Sequence, residues 1–289
     1  PRMRPLARRA SDGSAQMSGS DKRRKGLPHP LSATVATFRS WRGSRRAVGK
    51  PTKRIERCLT TPCERCRAGA RPGVVCQPTV PLRLGVLVSG SGTNLGAILA
   101  AVHAGKLDAD VRVVISNKLA AGGLERARAA GVPAVAIPHA GFASRELFDE
   151  ALVACLCEHD VEWVVLAGFM RVVTPVLLDA FPRRVINIHP ALLPAFPGVD
   201  GPGQALAYGV KVAGCTVHLV DAGVDTGPVI AQAAVPVLEG DDRDRLAARI
   251  LEQEHALLVE VIGWLSQGRL RVEDADGKRA RVVIEARAR

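Results

Sequence analysis

Between residues 84 and 188 the chain alternates short, uninterrupted apolar runs with stretches whose apolar residues recur every three or four positions. Residues 84–89 read Leu-Gly-Val-Leu-Val-Ser and stop at a glycine-rich turn, Gly90-Ser91-Gly92-Thr93-Asn94. A short apolar run that ends in glycine suits a strand buried on both faces. Residues 93–104 follow with Leu95, Ile98, Leu99 and Val102 at helical spacing. The pattern predicts strands at 111–116, 134–137, 163–167 and 185–188, with helices at 120–130, 145–158 and 175–180 between them. Repeated βα units with apolar strands imply a parallel sheet covered on both faces. The expected fold is therefore α/β: one open, mostly parallel, twisted sheet with helices on both sides.

The pattern extends further. Strands are predicted at 215–220 and 229–235, flanking an Asp/Gly turn at 221–227. A long helix is predicted at 241–267, with Leu246, Ile250, His255, Leu258 and Ile262 on one stripe. Residues 270–272 and 281–284 suit a small terminal hairpin. Residues 81–289 fit an ordinary single domain.

Charge separates this part from what precedes it. Of 40 Lys/Arg and 28 Asp/Glu, 19 and 4 fall in residues 1–80, which leaves 21 and 24 for the remainder. The first 80 residues thus carry a net +15 and the remainder −3, so the positive charge belongs to the former and the larger part is mildly acidic. A basic whole-chain charge is then poor support for a nucleic-acid-binding core. Residues 1–80 are rich in Arg, Ser, Gly and Pro, with few apolar runs, and are expected to form a disordered basic extension. The chain opens on Pro1 without an apolar signal-peptide run. Its Arg-rich bias is similar to a transit peptide but reads first as an upstream extension of a GC-rich frame. Cys58, Cys63, Cys66 and Cys76 include one Cys-x-x-Cys pair and no second, so incidental thiols are expected rather than a zinc site. No apolar run approaches the ~20 residues needed to span a bilayer as a helix, so no membrane association is expected.

Ligands of open α/β sheets bind beyond the carboxyl ends of the strands. Three segments expected there carry chemistry. The loop at Gly90–Asn94 lets backbone approach an anion at a helix N-terminus; its spacing is neither a dinucleotide nor a Walker motif. A phosphate monoester is the expected guest, and Gly92 is expected where a side chain would enter the phosphate's space. A plain strand–helix turn capped by Thr93 or Asn94 is the alternative. The second segment is Asn187-Ile188-His189-Pro190, where Asn187 and His189 leave one face of a strand end. An amide beside an imidazole suits an oxyanion and a proton in transit, although a structural histidine capped by a loop carbonyl is the commoner fate of a lone His. The third is Asp221-Ala222-Gly223-Val224-Asp225-Thr226-Gly227, whose Asp221 or Asp225 could orient His189; a plain Asp/Gly turn is the alternative.

Taken in this order, Ser89-Gly-Ser-Gly-Thr-Asn94, Ala167-Gly-Phe-Met-Arg171, Asn187-Ile-His-Pro190 with Leu192-Leu-Pro194, Asp225-Thr-Gly-Pro228 and Gln253-Glu-His255 resemble the phosphoribosylglycinamide (glycinamide ribonucleotide) formyltransferase family. The resemblance covers residues 82 to about 273. It implies a Rossmann-like formyltransferase fold and transfer of a formyl group from 10-formyltetrahydrofolate, the co-substrate, to glycinamide ribonucleotide in purine biosynthesis, without a metal. It places the oxyanion-stabilising amide at Asn187, the general acid at His189 and the carboxylate that holds it at Asp225. Gly92, Thr93, Asn94 and Glu254 match the ribonucleotide side. Arg145, Met170, Arg171, Val172 and Val173, with Asn187 and the Asp221, Ala222, Gly223, Val224 and Asp225 loop, match the folate side. A cytoplasmic monomer or homodimer is expected, with small-molecule substrates and no nucleic acid on the catalytic part.

The chain departs from the family pattern at Ala191, where serine is usual. It departs also at Val199-Asp200-Gly201-Pro202-Gly203, where polar groups are common, and at Leu251. Formyltetrahydrofolate deformylase shares the Asn/His/Asp set, but residues 1–80 lack the alternating strands of its regulatory domain. A silent nucleotide-binding module with an RNA-binding tail is the reading from another class. It is disfavoured because all three chemical residues are present.

Overall fold

The computed structural model describes residues 80–275 and 278–286. The expectations for the basic extension and its four cysteines lie outside the described residues. Five strands come first: β1 (Leu82–Val88), β2 (Ala109–Ser116), β3 (Ala134–Ala136), β4 (Trp163–Leu166) and β5 (Val185–His189). Helices α1 (Thr93–His103), α2 (Gly122–Ala129), α3 (Arg145–Glu158) and α4 (Pro175–Ala180) connect them. Then come α5 (Gly201–Tyr208), β6 (Val212–Leu219), β7 (Val229–Pro236), α6 (Arg243–Ser266) and a hairpin of β8 (Leu270–Ala275) and β9 (Lys278–Ile284).

The seven-stranded sheet has the order β3-β2-β1-β4-β5-β6-β7. The first five strands are parallel and β6 reverses, with β7 antiparallel to it. β1 alternates between faces. Leu82, Leu84, Val86 and Val88 pack with Leu95, Ile98 and the α6 residues Leu246, Ile250, Leu258 and Ile262. Leu87 joins Phe148, Leu152 and Leu156 of α3 and Leu177 of α4 on the other side. Both faces are thus covered, as a sheet with apolar strands requires.

The structure adds one helix and corrects one stripe. Helix α5 is not among the elements predicted from the sequence. Pro202 falls within the first turn, where its missing N–H is harmless, and Asp200 caps the helix by accepting from Gly203 N (3.3 Å). In α6 the buried stripe passes through Glu254, not His255, which is half-buried. The strand order turns around between β1 and β4, where β2 and β3 lie to one side and β5 to the other. That switch point opens a crevice at the carboxyl ends of the strands.

Candidate active site

At the switch point the β1–α1 loop meets the loop after β4. Ser89 N donates to Gly168 O (3.0 Å), and the Ser89 hydroxyl accepts from Met170 N (2.8 Å) while donating to Asn117 Oδ1 (2.7 Å). One buried hydroxyl thus joins the two loops expected to serve two different substrates. Gly92, the residue just before α1, is in the left-handed conformation (φ 70°), and the helix has no side-chain cap. Neither Thr93 nor Asn94 caps it. A Cβ on Gly92 would meet Gly123 Cα at 2.5 Å and Gly123 N at 3.2 Å. The space behind Gly92 is therefore the start of α2, which corrects the expectation that its side chain would enter the anion's space.

Asn94 turns inward instead. Its Nδ2 donates to Glu254 Oε2 (2.8 Å), bringing together two residues 160 apart in sequence. Burial pushes the Glu254 carboxyl up, only partly opposed by the hydrogen bond from Asn94. Asn94 Oδ1 and His255 Nε2 are buried without a partner among the described residues.

The second cluster lies at the end of β5, two strands from β1 and so about 10 Å away. Ile186 and Ile188 of β5 pack with the α6 layer, while Asn187 and His189 face the opposite side. His189 Nε2 donates to Phe196 O (2.9 Å), and Nδ1 stands 3.4 Å from Asp225 Oδ2. Asp225, not Asp221, is the carboxylate that reaches the ring. Asp221 is held within its own loop, accepting from Gly223 N (3.1 Å) and the Thr226 hydroxyl (2.6 Å). Asp225 Oδ2 also accepts from Gly198 N (2.8 Å), and its backbone is left-handed (φ 53°), a conformation Asp tolerates better than most residues. Burial pushes the Asp225 carboxyl up. Bonding from His218 and Gly198 N and the charges of two imidazoles outweigh it, so the net shift is downward.

His218 was not expected in the site. It is paired with Asn187 across the β5–β6 ladder, beside a bulge between Val217 and His218 in the β6–β7 pairing. Such bulges re-aim neighbouring side chains. Its Nδ1 donates to Leu219 O (2.8 Å), and its Nε2 stands 3.1 Å from Asn187 Nδ2 and 3.6 Å from Asp225 Oδ1. Asn187 Nδ2 also lies 3.4 Å from Asp225 Oδ1. The amide NH₂ that was expected to face a ligand is thus turned toward its neighbours. No local signal marks His218, which sits inside an apparently apolar strand.

The folate-side residues form the outer rim. Met170, Val172 and Val224 are exposed apolar side chains, Met170 at 68%. Val173 is buried. Arg171 lies over the Phe148 ring at 5.2 Å. Arg145 stands exposed at the first position of α3, and one turn later Asp149 fixes the end of the Met170 loop. Asp149 Oδ2 accepts from Thr174 N (2.6 Å) and the Thr174 hydroxyl (2.8 Å). Burial raises the Asp149 carboxyl despite these bonds. At the positions of departure, Ala191 is 2% exposed and packs at the start of α5, where a Cβ on Gly201 would lie 3.2 Å from its own. Asp200 is engaged by Arg243 Nε (2.7 Å), and Leu251 is half-buried on α6.

Likenesses to known proteins cover the span that holds this geometry. Residues 82–262 match the family model described as "Formyl transferase". The phosphoribosylglycinamide formyltransferase of Escherichia coli is 44% identical over 198 residues, 67% of this chain and 93% of that protein. The trifunctional purine biosynthetic protein adenosine-3 of Drosophila pseudoobscura is 47% identical over 191 residues, 65% of this chain; the chain spans only 14% of its length. Among solved structures, glycinamide ribonucleotide transformylase 1 of Symbiobacterium toebii superposes with a TM-score of 0.69 at 53% identity, covering 71% of this chain and 95% of that one. The matched span holds both clusters and the crevice between them, so the chain belongs to the formyl transferase family.

Proposed function

We propose that this chain transfers the formyl group of 10-formyltetrahydrofolate to the primary amine of glycinamide ribonucleotide, a step of purine biosynthesis. One observation carries the reading. An amide, two imidazoles and a carboxylate converge at the end of β5, about two strand spacings from an uncapped glycine loop at a helix N-terminus. A phosphate held at that loop would leave the acceptor amine within reach of the cluster. The Met170–Val173 rim, Arg145 and the Asp221–Asp225 loop would hold the folate.

The chemistry asks little of the protein. The amine attacks the formyl carbon, negative charge grows on the formyl oxygen, and a proton moves from the entering nitrogen to the leaving one. Holding the partners together supplies much of the rate. Asn187 answers the charge: its 3.4 Å contact to Asp225 is long and is the bond given up for the formyl oxygen, while the 3.1 Å contact to His218 keeps the amide oriented. The Nε2–H bond to Phe196 O fixes the ring, so His189 delivers the proton as general acid from Nδ1, the nitrogen that Asp225 faces and orients. Gly92, Thr93, Asn94 and Glu254 hold the ribonucleotide. In this reading the enzyme is cytoplasmic, a monomer or homodimer, and its partners are these two small molecules. Among the described residues no helix is long and apolar enough to cross a membrane.

The test is incubation with 10-formyltetrahydrofolate, with and without glycinamide ribonucleotide. Formyl loss that depends on the ribonucleotide and yields the formylated product supports the proposal. Formate release without acceptor would replace it with a deformylase.

A further inference from the structure

Helix α2 begins directly against the anion loop. Gly123 N donates to Gly90 O (3.1 Å), and a Cβ on Gly122 would lie 3.3 Å from Ser91 O. Arg126 comes one turn later on the same face. Its Nε donates to Ser91 O (2.9 Å). Its Cδ lies 3.6 Å from where a Cβ on Gly92 would stand, and its Nη1 lies 3.6 Å from the corresponding point on Gly96 in the first turn of α1. The side chain therefore lies across the loop, with its fork at the mouth of α1, and it is exposed to solvent. Asn94, 7% exposed, and the half-buried His255 each keep one buried polar atom, Oδ1 and Nε2, without a partner among the described residues, which leaves hydrogen-bonding capacity for a ligand. Arg126 is close enough to His255 to add to the lowering of that imidazole by burial.

We infer that Arg126 is a phosphate-binding residue, whose Nη groups clamp the acceptor's phosphate from the α2 side while the α1 N–H groups hold it from the other. The inference rests on the proposed ribonucleotide acceptor. Charge makes the case. A helix N-terminus offers about half an elementary charge, whereas a phosphate monoester carries about −1.5 to −2 at neutral pH. Backbone alone leaves most of that charge uncompensated. The bond from Nε to Ser91 O already fixes the plane of the guanidinium, so little freedom is lost when the fork engages a phosphate.

The competing role is a strut that only braces Ser91 O. Arg126→Gln and Arg126→Lys in the full chain separate the two. The measurements are the KM of each substrate, the melting temperature, and calorimetric binding of ribose 5-phosphate. Arg126→Gln should raise the ribonucleotide KM by roughly 10- to 100-fold, the scale of a lost charge-assisted pair. It should weaken ribose 5-phosphate by the same factor and leave the folate KM and melting temperature alone. Arg126→Lys should recover part of the loss, since a point charge keeps the attraction but not the fork. Equal binding of ribose 5-phosphate by Arg126→Gln and wild type overturns the inference. So does a loss shared equally by both substrates, which is the strut's signature. A wild type that binds ribose 5-phosphate through Arg126 yet transfers no formyl group upholds this inference and sinks the proposed reaction. Formyl transfer with an unchanged ribonucleotide KM in Arg126→Gln does the reverse.

Discussion

Replacing Gly92 by alanine should cost more in stability than in chemistry. Two penalties combine. The left-handed backbone (φ 70°) costs an L-residue about 1–2 kcal/mol. The new Cβ would stand 2.5 Å from Gly123 Cα, against an ordinary carbon–carbon contact of about 3.5–4.0 Å. The start of α2 must then retreat by about 1 Å, and forced overpacking of that kind costs about 1–3 kcal/mol. The sum, about 2–5 kcal/mol, is a large share of the ~5–15 kcal/mol that holds a domain folded. At about 2–4 °C per kcal/mol, the melting temperature should fall by about 4–20 °C. Gly90→Ala is the matched control: no atom lies within 4 Å of its would-be Cβ, so its effect should stay within about 0.5 kcal/mol. Thermal melts of the two variants beside wild type decide the matter. A Gly92→Ala protein that melts within a degree of Gly90→Ala would refute the packing argument and return the space behind Gly92 to the ligand.

Two further outcomes are expected. His189→Ala and Asp225→Asn should each lower turnover by roughly 10²–10⁴-fold, and the double variant should be little worse than either, because the carboxylate acts through the ring; steady-state kinetics of all three proteins checks this, and fully additive losses would mean independent roles. Glu254 has its carboxyl raised by burial, so its contribution to stability is full below the ordinary value of 4.5 and is lost as pH rises through the raised folded value; Glu254→Gln should therefore melt at or above wild type at pH 7, with the gap closing below pH 4.5, while the ribonucleotide KM rises.

What the sequence disclosed divides by range. Local patterns placed α3 and α4 to the residue, because each starts at a strong signal: Ser144 accepting from Leu147 N before α3, and Pro175 opening α4. Asn187 and His189 were legible because they share one face of one strand. His218 was not, since its role depends on the pairing of β6 with β5, which no run of residues encodes. Asp149 carries no local signal, since its partner Thr174 lies 25 residues on and only the fold brings the two together. The stripe of α6 was misplaced by one residue because Glu254 looks like solvent and His255 like core. Only Asn94, far away in the chain, explains a buried carboxyl there.

The reversed strand β6 has an evolutionary consequence. Thr216 and His218 project toward His189 and Asn187 across the ladder, while Ala213, Cys215, Val217 and Leu219 alternate with them into the apolar cluster beneath α6. Strand side chains have a period of two, so inserting or deleting a single residue here would exchange the two rows. The imidazole would enter the core, and an aliphatic side chain would face Asn187. A conservative exchange of one side chain leaves both rows facing the same way, whereas a change of length does not. Among descendants of this gene, gaps should accumulate in the surface loops and stop short of Val212–Leu219.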